Sequence, residues 1–148
     1  MQCRHKREKL NMSDLQARLR EQGLKVTPQR TVLLEQLIEE NDPISAEDLF
    51  KKVKGRHDSL DLVTVYRSLK KLEEVGLLAR HEFGDGTNRY ELTTEDGHHH
   101  HHVVCKVCGK IEALPSCDLG ALVKKVQTMG YSDIGHRLEF FATCKDCQ

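Results

Sequence analysis

The sequence predicts an α+β protein in two parts. Helical apolar periodicity runs through residues 13–76, and a Gly-rich link then joins two strand-like runs. The last third mixes short strands with one helix around two Cys-x-x-Cys pairs. The boundaries read as a disordered extension over 1–12, a helical domain with a hairpin over 13–92, a polar hinge over 93–97 and a small α/β domain over 98–148. Met12, followed by Ser13-Asp14, is an alternative start, which would leave Cys3 and His5 in an appendage.

Leu15, Leu19 and Gly23 outline a first helix. Thr27-Pro28 starts a second, because Thr can cap and Pro at the first position loses no needed donor. Val32, Leu33, Leu37 and Ile38 carry its apolar stripe. Ser45-Ala46-Glu47-Asp48 fits a capping pattern and opens a third helix through Leu49, Phe50 and Val53. Asp61 caps a fourth, with Leu62, Val65, Leu69 and Leu72 inward and Gly76 as its stop. Its other face carries Thr64, Arg67, Lys70 and Lys71, which suits phosphates and base edges. Strands over 77–83 and 88–92 follow, linked by Gly84-Asp85-Gly86-Thr87. Helices and then a hairpin, in this order, predict a winged helix-turn-helix, in which the last helix enters the major groove. The competing reading is a helical core with an incidental hairpin.

Beyond the hinge, Val103–Cys105 and Lys110–Leu114 read as strands, and Leu138–Thr143 as a third. Leu119, Leu122, Val123, Val126 and Met129 describe a helix stopped by Gly130. Such a short second half is small for an independent core, so metal or oligomerisation is expected to support it.

Charge says little. Residues 1–90 carry 17 Lys+Arg against 15 Asp+Glu, and residues 91–148 carry 6 against 8, so no strongly basic face is advertised. No run approaches the ~20 apolar residues of a membrane span. The basic, polar N-terminus shows no apolar signal region, so a cytoplasmic protein is expected, without a membrane partner. In that compartment paired Cys-x-x-Cys points to metal or redox chemistry rather than disulfides. No nucleophile–base constellation or phosphate loop supports an enzyme.

Cys105 and Cys108, with Cys144 and Cys147, have the spacing of a structural zinc site with four thiolates. The 35 residues between the pairs exceed a compact zinc ribbon, and the intervening helix accounts for them. A redox dithiol competes, but nothing thioredoxin-like precedes either pair. His98 to His102 abut the first pair. A purification tag or a solvated His-rich loop would also give such a run, although this one is internal. On a strand, His98, His100 and His102 face one way and His99 and His101 the other, which could serve two sites. Glu91, Glu112, Cys117, Asp118 and His136 are further candidate ligands.

With these features in this order, the chain resembles the ferric uptake regulator family of metal-dependent repressors. The resemblance covers nearly all of residues 13–147. Its carriers are Gly23-Leu24-Lys25-Val26-Thr27-Pro28-Gln29-Arg30, Ser45-Ala46-Glu47-Asp48-Leu49, Thr64-Val65-Tyr66-Arg67, Arg89-Tyr90-Glu91-Leu92 and His98 through Gly109.

The resemblance implies a homodimer whose C-terminal α/β domain dimerises, and which binds palindromic double-stranded operators when a regulatory metal is bound. It implies DNA-binding roles for Lys25 in the minor groove, Tyr66 at bases and Arg67 at phosphates, with Arg30 and Thr64 in the same motifs. It implies a hinge site of Glu91, His100 and His102 with an acid past the first Cys pair. Glu112 is the nearest such acid, shifted by one position. A second site would use His99, His101 and His136, with either Cys117 or Asp118 as fourth ligand; an Asp commonly stands where His101 does. Many members also place a histidine just before the Ser-Ala-Glu-Asp helix, where this chain has Pro43 and Ile44.

The function expected is repression of metal-homeostasis genes, of the iron-uptake type, with Zn2+ structural and Fe2+, Zn2+ or Mn2+ regulatory. A zinc-uptake regulator is the alternative, since His101 and Cys117 soften the ligand set. A peroxide sensor and a metal-storage or chaperone protein are the remaining readings.

Overall fold

In the computed structural model, residues 10–93, 101–114 and 118–148 are described. The chain divides into two compact units, one holding the described residues up to Thr93 and the other those from His101 onward. The predicted extension over 1–12 and hinge over 93–97 fall largely outside the described residues.

The first unit is built from capped helices. α1 spans Met12–Glu21, and its cap is Asn11, whose side chain accepts from the Asp14 amide at 2.9 Å. Asn11 thus supplies the side-chain acceptor that the first turn needs. α2 spans Pro28–Glu39 with Thr27 as cap and Pro28 at the first turn. α3 spans Ala46–Val53, capped by Ser45. α4 spans Leu62–Glu74, capped by Asp61. Gly23 and Gly76, at φ 73° and 72°, follow α1 and α4 in the left-handed conformation that ends a helix.

Leu15, Leu19, Leu33, Leu34, Leu49, Val65, Leu69 and Leu72 are completely buried and form the core between these helices. Three strands close it in the order β1-β3-β2: β1 is Ile44–Ser45, β2 is Leu78–Glu82 and β3 is Asn88–Leu92. β2 and β3 form the antiparallel hairpin, with His81 opposite Arg89 and Ala79 opposite Glu91. Leu78, Tyr90 and Leu92 turn one face of the hairpin to the core. His81, Arg89 and Glu91 therefore share the other face. Arg18 of α1 ties down the hairpin's end, donating to the Thr93 carbonyl at 2.9 Å and the Thr93 hydroxyl at 3.1 Å.

In the second unit β4 (His102–Cys105) is the central strand of the order β5-β4-β6, antiparallel to β5 (Ile111–Ala113) and parallel to β6 (Glu139–Ala142). α5 spans Gly120–Thr128 and buries no residue. Its predicted stripe is only partly covered: Leu119, Val123 and Val126 are half-buried, and Leu122 and Met129 are 60% and 65% exposed. Phe140 and Phe141 on β6 are half-exposed as well.

Candidate metal centres and nucleic-acid interface

Cys105 ends β4, and a tight turn closed by the Gly109 amide on the Cys105 carbonyl (2.9 Å) carries Cys108 back beside it. Gly109, at φ 73°, permits that turn. Cys144 and Cys147 flank a single 3-10 turn, with the Cys147 amide on the Cys144 carbonyl. The four sulfurs lie within 4.8 Å of one another. Tetrahedral zinc with Zn–S near 2.3 Å requires S···S separations of about 3.8 Å; Cys108 and Cys144 stand at 3.7 Å.

Electrostatics point the same way. Backbone amides, first that of Cys108 and then those of Cys144 and Val107, lower the Cys105 thiol to about 6. The neighbouring Cys144 and Cys108 thiols push Cys147 up to about 12. The cluster accepts one thiolate readily and resists further negative charge, which a bound dication would neutralise. These residues fit structural zinc, and all four are free cysteines rather than disulfides.

In the same unit, His101 and His136 meet with Nε2 atoms 3.1 Å apart. His101 is 2% exposed. This is half of the second predicted ligand set. His99 and Cys117 lie outside the described residues, and Asp118 is exposed. His102, the next residue, is buried and opens β4.

Glu112 was expected near His102 as the acid of the hinge site. In the β4–β5 register it stands opposite Val103, while His102 stands opposite Ala113. Opposed residues share a face and neighbours alternate, so Glu112 projects from the side of the sheet away from His102. It is also engaged by Lys110 at 3.0 Å. It does not fit as a ligand beside His102. His100, the other hinge histidine expected, lies outside the described residues.

Glu91 of the first unit has a partner that the sequence reading missed. His81 Nε2 lies 2.8 Å from Glu91 Oε1, and both side chains are nearly buried, at 14% and 11% exposure. His81 also stacks on Phe83, with centroids 5.8 Å apart. The pair is diagonal across the hairpin. Its signal was available only once the register of the hairpin was fixed. Pro43 and Ile44, which stand where the resemblance implies a histidine in many members, are buried.

The outward face of α4 presents Val63, Tyr66, Arg67 and Lys70, all exposed and spaced three or four residues apart. Thr64 is half-buried, and its amide is spent on the Asp61 cap. Lys25 is exposed in the loop before α2. Arg30 donates to the Lys25 carbonyl at 2.6 Å, so it shapes that loop. The hairpin's two arginines are both held by carboxylates, Arg89 by Asp85 at 2.6 Å and Arg80 by Glu73 at 2.9 Å.

A helical unit with a wing and a cationic, hydroxyl-bearing helix face, joined to a unit with a four-thiol centre and paired imidazoles, defines a metal-binding winged-helix protein. The family model described as the ferric uptake regulator family matches residues 21–141, and the chain belongs to that family. It is similar to the peroxide-responsive repressor PerR of Staphylococcus aureus, 29% identical over 89% of this chain and 88% of the relative. The solved ferric uptake regulator of Vibrio cholerae is 34% identical, with a TM-score of 0.72 over 88% of this chain and all of that one. The regulator of Francisella tularensis, solved with iron, is 31% identical with a TM-score of 0.71, covering 84% and 95% of the two chains. Proteins of this family are DNA-binding transcriptional regulators responding to metal, and the chain is one of them rather than an enzyme.

Proposed function

We propose that this chain is a cytoplasmic, homodimeric repressor of metal-homeostasis genes, of the iron-uptake type, that binds palindromic operators when loaded with a divalent metal. The observation that carries the reading is the pairing of His81 with Glu91 on the wing, in the same unit as α4. A metal on these donors would be anchored directly to the DNA-binding unit. Similarity to regulators named for ferric uptake, one of them solved with iron, supports the iron assignment.

The remaining ligands of this regulatory site are His100 and His102 of the histidine run. A metal bound by both sets of donors would act as a pin: metal-free protein samples many orientations of its winged helices, and metal selects those at operator spacing. His101 and His136, with His99 and Cys117 or Asp118, form the second exchangeable site. Dimerisation is supported by the partly uncovered apolar face of α5 and by exposed Phe140 and Phe141 on β6. On DNA, Tyr66 and Thr64 face bases, Arg67 the phosphates and Lys25 the minor groove, with Arg30 positioning Lys25.

A zinc-uptake regulator is the second reading. It is favoured by the imidazoles at His81, His101 and His136, because nitrogen-rich donor sets suit zinc better than oxygen-rich ones. A peroxide sensor, which would oxidise metal-bound imidazoles, is less favoured because few carboxylates accompany these histidines among the described residues. Operator binding in protein with structural zinc already loaded, titrated with buffered Fe(II), Mn(II) and Zn(II), separates these readings. A half-response at vanishing free zinc selects the zinc type, and a response to iron or manganese at about 1 μM, well above the tight-binding range, selects the iron type. Metal uptake without any sequence-specific DNA binding would return the storage reading.

A further inference from the structure

Glu47 sits on the exposed side of α3 and accepts a hydrogen bond from the Tyr66 hydroxyl on α4. It makes no other hydrogen bond or ion pair among the described residues. Lys51, the nearest cation along its helix, is committed to Asp48 at 2.8 Å. Tyr66 is 43% exposed, and Val63, one turn earlier on α4, is 54% exposed. A carboxylate, a phenol and an apolar side chain thus stand together on the side of the unit that displays Arg67 and Lys70.

A carboxylate on a DNA-facing surface repels phosphates, so it cannot serve general affinity. Its hydrogen bond also fixes what Tyr66 can offer. The phenol's one donor is spent on Glu47, leaving a hydroxyl lone pair and the ring edge outward. Glu47 raises the Tyr66 pKa through the same hydrogen bond, so the phenol stays protonated. Two acceptors side by side match the exocyclic amino groups of the major groove, adenine N6 and cytosine N4. Val63 beside them matches a thymine methyl.

We propose that Glu47 is a specificity-determining residue: with Tyr66 it reads an exocyclic amino group in the major groove, and its charge turns non-cognate phosphate contacts away. The inference rests on the reading of α4 as the helix that enters the groove. A carboxylate that only favoured the N-terminus of α3 would change thermal stability and leave base preference unchanged.

The test is selection from a randomised duplex DNA library by the metal-loaded full-length protein, its E47Q and E47A variants and Y66F. Wild type should enrich a palindrome. E47A should still bind DNA in a metal-dependent way but lose about tenfold in discrimination at a base pair in each half-site, within the usual cost of a mismatch. It should also bind a random, unselected duplex more tightly than wild type. E47Q keeps an acceptor for Tyr66, so it should gain random-duplex affinity while losing less discrimination; it carries the test if E47A does not fold. Purine in place of adenine, or 2-pyrimidinone in place of cytosine, then identifies the amino group read. Unchanged base preferences in E47A and E47Q would overturn the proposal while leaving the operator reading intact. A wild-type protein that enriches no sequence would overturn the operator reading and this inference with it.

Discussion

Tyr66 and Arg67 are neighbours on one exposed face, yet their chemistry predicts different losses. Arg67 is an exposed cation suited to phosphate. Arg67→Ala should weaken binding to operator and random DNA alike and lower the salt slope by about 1. Tyr66→Ala should instead remove preference at particular base pairs, with metal uptake intact. Equilibrium binding at several salt concentrations distinguishes the two. Ser45 makes a quieter contribution: its hydroxyl caps α3 by accepting from the Asp48 amide at 3.1 Å. Ser45→Ala should cost about 1 kcal/mol, read as a shift in the denaturation midpoint with unchanged slope.

At the scale of elements, the wing is held by charge. Asp85 accepts from Arg89, which lowers its pKa from 3.8 to about 2. A carboxylate with a depressed folded pKa contributes stability above its unfolded value and loses it as pH falls through the folded one. Protection of the Thr87 amide, which donates to Asp85 at 3.0 Å, should therefore hold above pH 3.8 and disappear towards pH 2. Asp85→Asn should flatten that profile. Because Arg89 and Arg80 are both paired, the wing should add little to the salt dependence of DNA binding.

The four helices of the first unit were legible because each combines a 3.6-residue stripe with a cap or stop. The hairpin was legible because Gly84 to Thr87 interrupts two alternating runs. β1 was not, since two residues carry no periodicity and Ile44–Ser45 becomes a strand only through its pairing with Tyr90 and Arg89. His81 escaped for a related reason: its approach to Glu91 is a property of register, and ten residues of sequence separate the two. Glu112 was expected through the family resemblance, and the alternation of β5 turns it to the face opposite His102. The cysteine centre was visible outright, because each Cys-x-x-Cys pair is local and only their meeting required the fold.

Across the whole molecule, the proposed function gives the thiol centre and the imidazole and carboxylate donors separate tasks. Cys105 and Cys108 join the end of β4 to the chain's last turn through Cys144 and Cys147. On the proposed homodimer reading, Cys105→Ser should abolish zinc binding at the four thiols and melt the second unit, seen as lost zinc by elemental analysis and a dissociated species in sedimentation. Glu91→Ala or His81→Ala should leave that zinc and the oligomer in place and remove only the metal response. A full switch from a mostly open to a mostly operator-competent form needs a metal preference of about 10⁴ between them.

The most direct test is operator affinity as a function of buffered free metal, in protein whose structural zinc is loaded, for wild type and His81→Ala. Wild type should bind its selected operator only when the second metal is supplied, and His81→Ala should need a markedly higher free metal concentration for the same response. Equal operator binding with and without the second metal would contradict the account.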